Sequence, residues 1–161
     1  AQRIFDSFVY RGEADAQQTR EMRERLERES PRNALKRGPG GTLDIEFLLA
    51  HLQLKHAAQI PALRQPDLWE VLEVAREHGL VDERSHDAIQ GAYAFLRQVV
   101  NRLQILDGVS RHELPEGDAL EVFAMRMGYT AGGGMTAADQ LMEELDWHRG
   151  NARQAFDQFV V

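Results

Sequence analysis

Residues 36–56 read KRGPGGTLDIEFLLAHLQLKH, and the fold turns on the apolar run after the glycines. From Leu43 onward, apolar side chains stand at 43, 45, 47, 48, 49, 52 and 54. That spacing covers most of a helix's circumference, and a helix apolar on so many sides belongs in the middle of a bundle. Thr42 is placed to cap it. The segment ahead, SPRNALKRGPGG, forbids regular structure through Pro31, Pro39 and its glycines.

Working outward, ADAQQTREMRERLERE (14–29) is polar nearly all round, with Met22 and Leu26 as its apolar pair. Such a helix is solvated or docks elsewhere, and it reads as an arm. Downstream, LWEVLEVAREHG (68–79) is amphipathic through Leu68, Val71, Leu72 and Ala75, with Gly79 at the position of a C-terminal cap. Asp82 opens the longest helix, through residue 108, in which Ile89, Ala92, Phe95, Leu96, Val99, Leu103 and Leu106 keep the helical period. A shorter helix lies in EGDALEVFAMRMGY (116–129). A glycine-rich turn comes next, then a last helix over 136–160 that Gly150 is expected to bend. The pattern predicts an all-α, up-and-down bundle of five to six helices in a single helical domain, 1–161, with an N-terminal arm and loop over 1–35 and the bundle over 36–161.

Composition narrows the chemistry. The 161 residues hold no cysteine, which removes disulfides and thiolate sites and fits a reducing cytoplasm. No apolar run reaches the length of a membrane span. The net charge of −7 disfavours nucleic acid, but it is uneven: residues 1–37 carry nine Lys/Arg against seven Asp/Glu, and residues 38–161 ten against nineteen. A polyanion contact is therefore expected near the N-terminal third. Ala1 in place of Met suggests a piece of a longer chain.

Several motifs invite chemistry. Asp44 and Glu46 form a D-x-E pair, but on a helix residues two apart diverge by about 200°, so one metal ion could not hold both. Asp44 can instead favour the helix dipole. KRGPGG is a possible anion cradle, with Lys36 and Arg37 adding charge, but it lacks the lysine that a Walker loop places after its last glycine. A plain loop that needs positive φ explains it as well. Asp44, His51 and Lys55 share one face of the helix; Glu46 and Gln53 mark another. The expectation is that Asp44 faces outward and Glu46 inward, paired within the bundle. The six histidines show no metal-ligand spacing and are expected at the surface or at helix ends. Trp69, Tyr93, Phe95, Phe123 and Trp147 are expected in the core or at an interface.

The run K-R-G-P-G-G-T-L-D-I-E-F, followed by Q-L-K-H-A, P-A-L-R, A-Y-x-F-L-R-x-x-x-N-R-L-Q and S-R-H-E-L-P, resembles the helical domain of glutamine synthetase adenylyltransferase. The resemblance covers residues 20–160, and G-G-x-x-D-I-E-F is its signature. It implies a nucleotidyltransferase domain ahead of this one, carrying the D-x-D and further carboxylate that bind ATP and Mg²⁺. It implies no catalytic residue, metal or bound cofactor in this chain. One half of such an enzyme attaches AMP to glutamine synthetase and the other removes it, with PII signal protein and glutamine choosing between them. Details of the motifs and the Phe-Val-Val ending look more like the C-terminal, adenylylating half. By the same resemblance Lys36, Arg37, Gly40, Gly41, Asp44 and Glu46 face the active site. The expected partners are the enzyme's own nucleotidyltransferase domain, glutamine synthetase and PII, and the expected compartment is the cytoplasm. The alternatives are a PII-binding regulatory module and the equivalent helical domain of a PII uridylyltransferase.

Overall fold

A computed structural model describes residues 15–31, 33–107 and 113–161. Among them are the helices α1 (Ala16–Arg28), α2 (Thr42–His56), α3 (Leu68–Glu77), α4 (Glu83–Asp107), α5 (Asp118–Arg126) and α6 (Ala137–Phe159), with a short 3₁₀ turn at Pro61–Leu63. No strand occurs among the described residues, only the isolated bridges Ala34–Glu113 and Gly132–Met135. The molecule is an all-α helical bundle.

The helix ends follow local chemistry. Asp67 caps α3 by accepting the Trp69 N–H at 2.8 Å, and Gly79 with φ +70° closes that helix as its position foretold. The Asp82 carboxylate takes the Ser85 N–H at 3.0 Å, so the long α4 starts where expected. Thr136 and Asp139 form a reciprocal capping box at α6. α6 is continuous through Gly150, and its apolar face at Leu145, Ala152, Ala155 and Phe156 stays packed across that turn. One expectation fails. Thr42 does not cap α2; Gly41 holds the cap position with no side-chain bond.

α2 lies in the middle, against α1, α3, α4 and α6, while α4 and α6 form the longest pairing. Two apolar clusters divide along that pair. One joins Ile45, Leu48, Leu52, Leu72, Ile89 and Phe156. The other joins Phe95, Leu96, Val99, Leu103, Phe123 and Leu141. Each large aliphatic side chain fully removed from water contributes about 1.5–3 kcal/mol, so these clusters supply most of the bundle's cohesion.

Of the two readings of the arm helix, α1 takes the docked one: it lies on α2 and α6 through one face made of Ala16, Thr19, Arg20, Arg23, Leu26 and Glu27. Arg23 on that face is fully buried, whereas Met22 is 52% exposed. Charge fixes this helix, which is why hydropathy misjudges it. Residues 1–14 of the expected arm, His112, and Ser110 and Arg111 of the S-R-H-E-L-P motif lie outside the described residues.

Candidate functional site

The D-x-E turn at the start of α2 sorts its two carboxylates in the reverse of the expected order. Asp44 is 0% exposed, while Glu46 is half-buried at the surface. The Asp44 carboxylate forms an ion pair with the Arg23 guanidinium, receives Arg153 Nε at 3.0 Å and accepts the Gly40 N–H at 2.8 Å. Burial pushes the Asp44 carboxyl above its ordinary range, against the pull of Arg23, Arg153 and the Gly40 N–H.

Arg23 completes the knot. Its Nη1 donates to Arg37 O at 3.1 Å and its Nη2 to Gly38 O at 2.8 Å. Arg153 also pairs with Glu27, and Arg149 Nε donates to Pro39 O at 2.8 Å. The KRGPGG loop is thus held by its carbonyls, drawn inward by arginines from α1 and α6. This overturns the anion cradle at the helix start. The Thr42 and Leu43 N–H groups are bonded to Leu35 O and Lys36 O at 3.1 Å, and the Gly40 N–H to Asp44. The glycines are explained by close approach. A Cβ at Gly40, whose φ is +68°, would fall on the Arg149 carbonyl; one at Gly41 would sit 2.5 Å from Lys36 O.

The polar stripe of Asp44, His51 and Lys55 exists, but it meets partners within the chain. His51 is buried and lies 3.5 Å from Thr19 Oγ1 on α1, and Lys55 Nζ donates to Val161 O at 2.9 Å. On the other stripe Gln53 Nε2 donates to Leu63 O and Gln65 O at 2.7 and 2.8 Å. Glu46 instead opens onto a groove of about 310 Å³ lined by Lys36, Thr42, Tyr93, Arg97, Val100 and Asn101. Of the six candidate residues, then, Gly40, Gly41 and Asp44 are buried in the knot, Lys36 and Arg37 are exposed, and Glu46 stands at the groove.

Arg97 and Asn101 are not among the sequence candidates, though they belong to the A-Y-x-F-L-R-x-x-x-N-R-L-Q run. Their spacing of four on one helix is the available signal. The histidine expectation needs correction: His51, His86 and His148 are buried. His86 faces Glu73 Oε1 at 2.7 Å and Asp87 Oδ1 at 3.1 Å, and His148 stacks on Phe95 with centroids 4.5 Å apart. Trp147 is 62% exposed and so is not core. Among the described residues no group of three or more His, Asp or Glu is placed to hold a metal ion, and no helix is long and apolar enough to cross a membrane.

Residues 10–160 match the family model described as GlnD PII-uridylyltransferase. Among curated proteins the chain is 34% identical, over 96% of its length, to a bifunctional glutamine synthetase adenylyltransferase/adenylyl-removing enzyme of Xanthomonas campestris pv. campestris strain B100. It is 39% identical over 76% of its length to the protein of that name from Stenotrophomonas maltophilia strain K279a, and 32% identical over 85% to that of Aromatoleum aromaticum. The chain spans 17% of the first of these relatives and 14% of the other two. The chain belongs to the GlnD PII-uridylyltransferase family, and it corresponds to a helical domain of the bifunctional glutamine synthetase adenylyltransferases.

Proposed function

We propose that this chain is the helical accessory domain of the adenylylating, C-terminal half of a glutamine synthetase adenylyltransferase. It stands beside a nucleotidyltransferase domain that supplies ATP, Mg²⁺ and the reacting groups, and it supports transfer of AMP to glutamine synthetase in control of nitrogen assimilation. The observation that carries this reading is the similarity at 34% identity across 96% of the chain to an enzyme of that name. The geometry is in keeping with it: the knot holds the signature loop rigid and leaves Lys36 and Glu46 on one open groove. A wall built on rigid elements positions a neighbouring site better than a free loop does.

The test is direct. With ATP, Mg²⁺ and glutamine synthetase, this chain alone gives no AMP transfer, whereas the longer enzyme gives transfer that is lost when this domain is deleted. Transfer by the chain alone, or full activity without it, overturns the reading. The description of the matching family favours a second reading, the equivalent domain of a PII uridylyltransferase. Assaying the longer enzyme with UTP and PII separates the two: uridylyl transfer without AMP transfer selects the second.

A further inference from the structure

Two shallow grooves lie side by side on the outer face of α4. The first, of about 310 Å³, includes Lys36, Glu46, Tyr93, Arg97 and Asn101 in its lining. The second, of about 610 Å³, is walled by Trp69, Arg97, Asn101, Arg102 and Ile105. Arg97 and Asn101 border both, so the two form one continuous surface.

Its charge runs against the rest of the molecule. The whole chain carries 19 Lys/Arg against 26 Asp/Glu, yet among its described lining residues this surface gathers Lys36, Arg97 and Arg102 around one carboxylate, Glu46. All three cations are exposed. None of them forms an ion pair among the described residues, whereas Arg20, Arg23, Arg28, Arg76 and Arg153 all do. Unpaired cations in a concave site focus a positive field on whatever anion enters.

The aromatic side chains beside them are ordered. The Arg97 guanidinium rests over the Tyr93 ring, 5.5 Å from its centroid, and Trp69 packs against Tyr93 at 5.0 Å. A guanidinium braced on a ring keeps its planar donors available for phosphate oxygens, and a half-buried indole next to it offers a face for a flat base. Arg97 and Asn101 lie one helical turn apart, about 6 Å along the axis, a span that suits a chain of phosphates better than a single one.

We propose that this surface is a binding site for a nucleotide polyphosphate, with Lys36, Arg97 and Arg102 on the phosphates and Trp69 beside the base. Its identification with the ATP of AMP transfer rests on the function proposed above; the binding itself does not.

The chain holds two tryptophans, Trp69 and Trp147, so a Trp147→Phe background leaves Trp69 as the reporter at the groove. The background is titrated with ATP and with inorganic tripolyphosphate while Trp69 emission is followed. ATP is expected to give a saturable change that tripolyphosphate reverses by competition. Arg97→Gln with Arg102→Gln weakens ATP by about tenfold, and Arg84→Gln, at the far end of α4, leaves it unchanged. Circular dichroism confirms that each variant is folded. No saturation with ATP, or an undiminished response in the double variant, overturns the site. Failure of tripolyphosphate to compete overturns the phosphate contacts, and equal affinity for tripolyphosphate and ATP overturns the base contact. Because AMP transfer is not read, failure here is distinguishable from failure of the proposed function.

Discussion

Two regions of this bundle are equally sealed from water and opposite in chemistry. Under α1, Arg23 and Asp44 are both fully buried and joined with Arg153 and the Gly38 carbonyl. Around the middle of α4, Leu96, Val99, Leu103, Leu141 and Leu145 exclude water with hydrocarbon alone. The difference lies in how each fails. An apolar cluster loses stability in proportion to the volume removed. A charged knot fails steeply when one member is taken away and mildly when all are replaced together, because a stranded buried charge is what costs most.

The largest effect should therefore come from Asp44. Asp44→Ala leaves Arg23 and Arg153 facing each other with Glu27 as their remaining carboxylate, and it should lower unfolding free energy by about 4–5 kcal/mol. Chemical denaturation followed by circular dichroism measures it. Replacing the knot as a unit, Arg23→Met, Asp44→Leu and Arg153→Met, should recover most of that loss. A triple variant as unstable as the single one would break the comparison, since it would mean that the loop carbonyls need Arg23 more than Asp44 does.

Phe95→Ala is next, at about 3 kcal/mol. The ring is 8% exposed and stacked on His148, so its removal opens space that His148 can partly fill. Phe95→Leu should cost only about 1 kcal/mol. That gradation has no counterpart in the knot, where Asp44→Asn, nearly identical in shape, should still lose most of the stability that Asp44→Ala loses. Equal costs for the two Phe95 variants would show that the ring's stacking, rather than its volume, is what matters there.

This contrast also explains how much of the fold is legible in the sequence. Helices α2, α4 and α6 are legible because Ile45, Leu48 and Leu52, or Leu96, Val99 and Leu103, repeat at the helical period that burial imposes. The docking of α1 is not legible, since hydropathy scores Arg23 as a surface residue and a lone helix cannot reveal the carbonyls that surround it. The D-x-E pair is half legible. Helical geometry separates Asp44 from Glu46 correctly, but which of the two faces inward depends on Arg23 and Arg153, 21 and 109 positions away. The stripe through His51 and Lys55 gives the right face and the wrong neighbour, because α1 meets it at His51 and Val161 meets it at Lys55.

A weaker version of the knot sits where α3 meets α4. Both ring nitrogens of His86 face carboxylates, Glu73 at 2.7 Å and Asp87 at 3.1 Å, with Arg76 and Glu83 at the rim. Burial pulls the His86 pKa down, but Asp87 and Glu73 outweigh it and the net shift is upward. A folded-state pKa above the unfolded value of about 6.5 means that the contribution is complete below that pH and is lost as pH rises through the folded value. The stability difference between the parent and His86→Gln should be largest below pH ~6.5 and shrink as pH rises above it. A difference that grows with pH would reverse the assignment and make neutral His86 the stabilising form.

The smallest expected effect on stability is at Glu46, two residues from the largest. Glu46 has no ion pair among the described residues and opens onto the groove with Lys36 and Arg97, so Glu46→Gln should change unfolding free energy by less than about 0.5 kcal/mol. Its charge should nevertheless register in binding. Glu46 is the carboxylate in a lining that otherwise attracts anions, and removing it lifts a like-charge repulsion across a solvent-screened gap. Tripolyphosphate should bind Glu46→Gln about two- to fivefold more tightly than the parent, with the gain shrinking as salt is raised. Weaker binding would mean that Glu46 orients Arg97 rather than opposing the anion. A large loss of stability would mean that the helix start uses both carboxylates, and the separation of a structural Asp44 from a groove-facing Glu46 would fail.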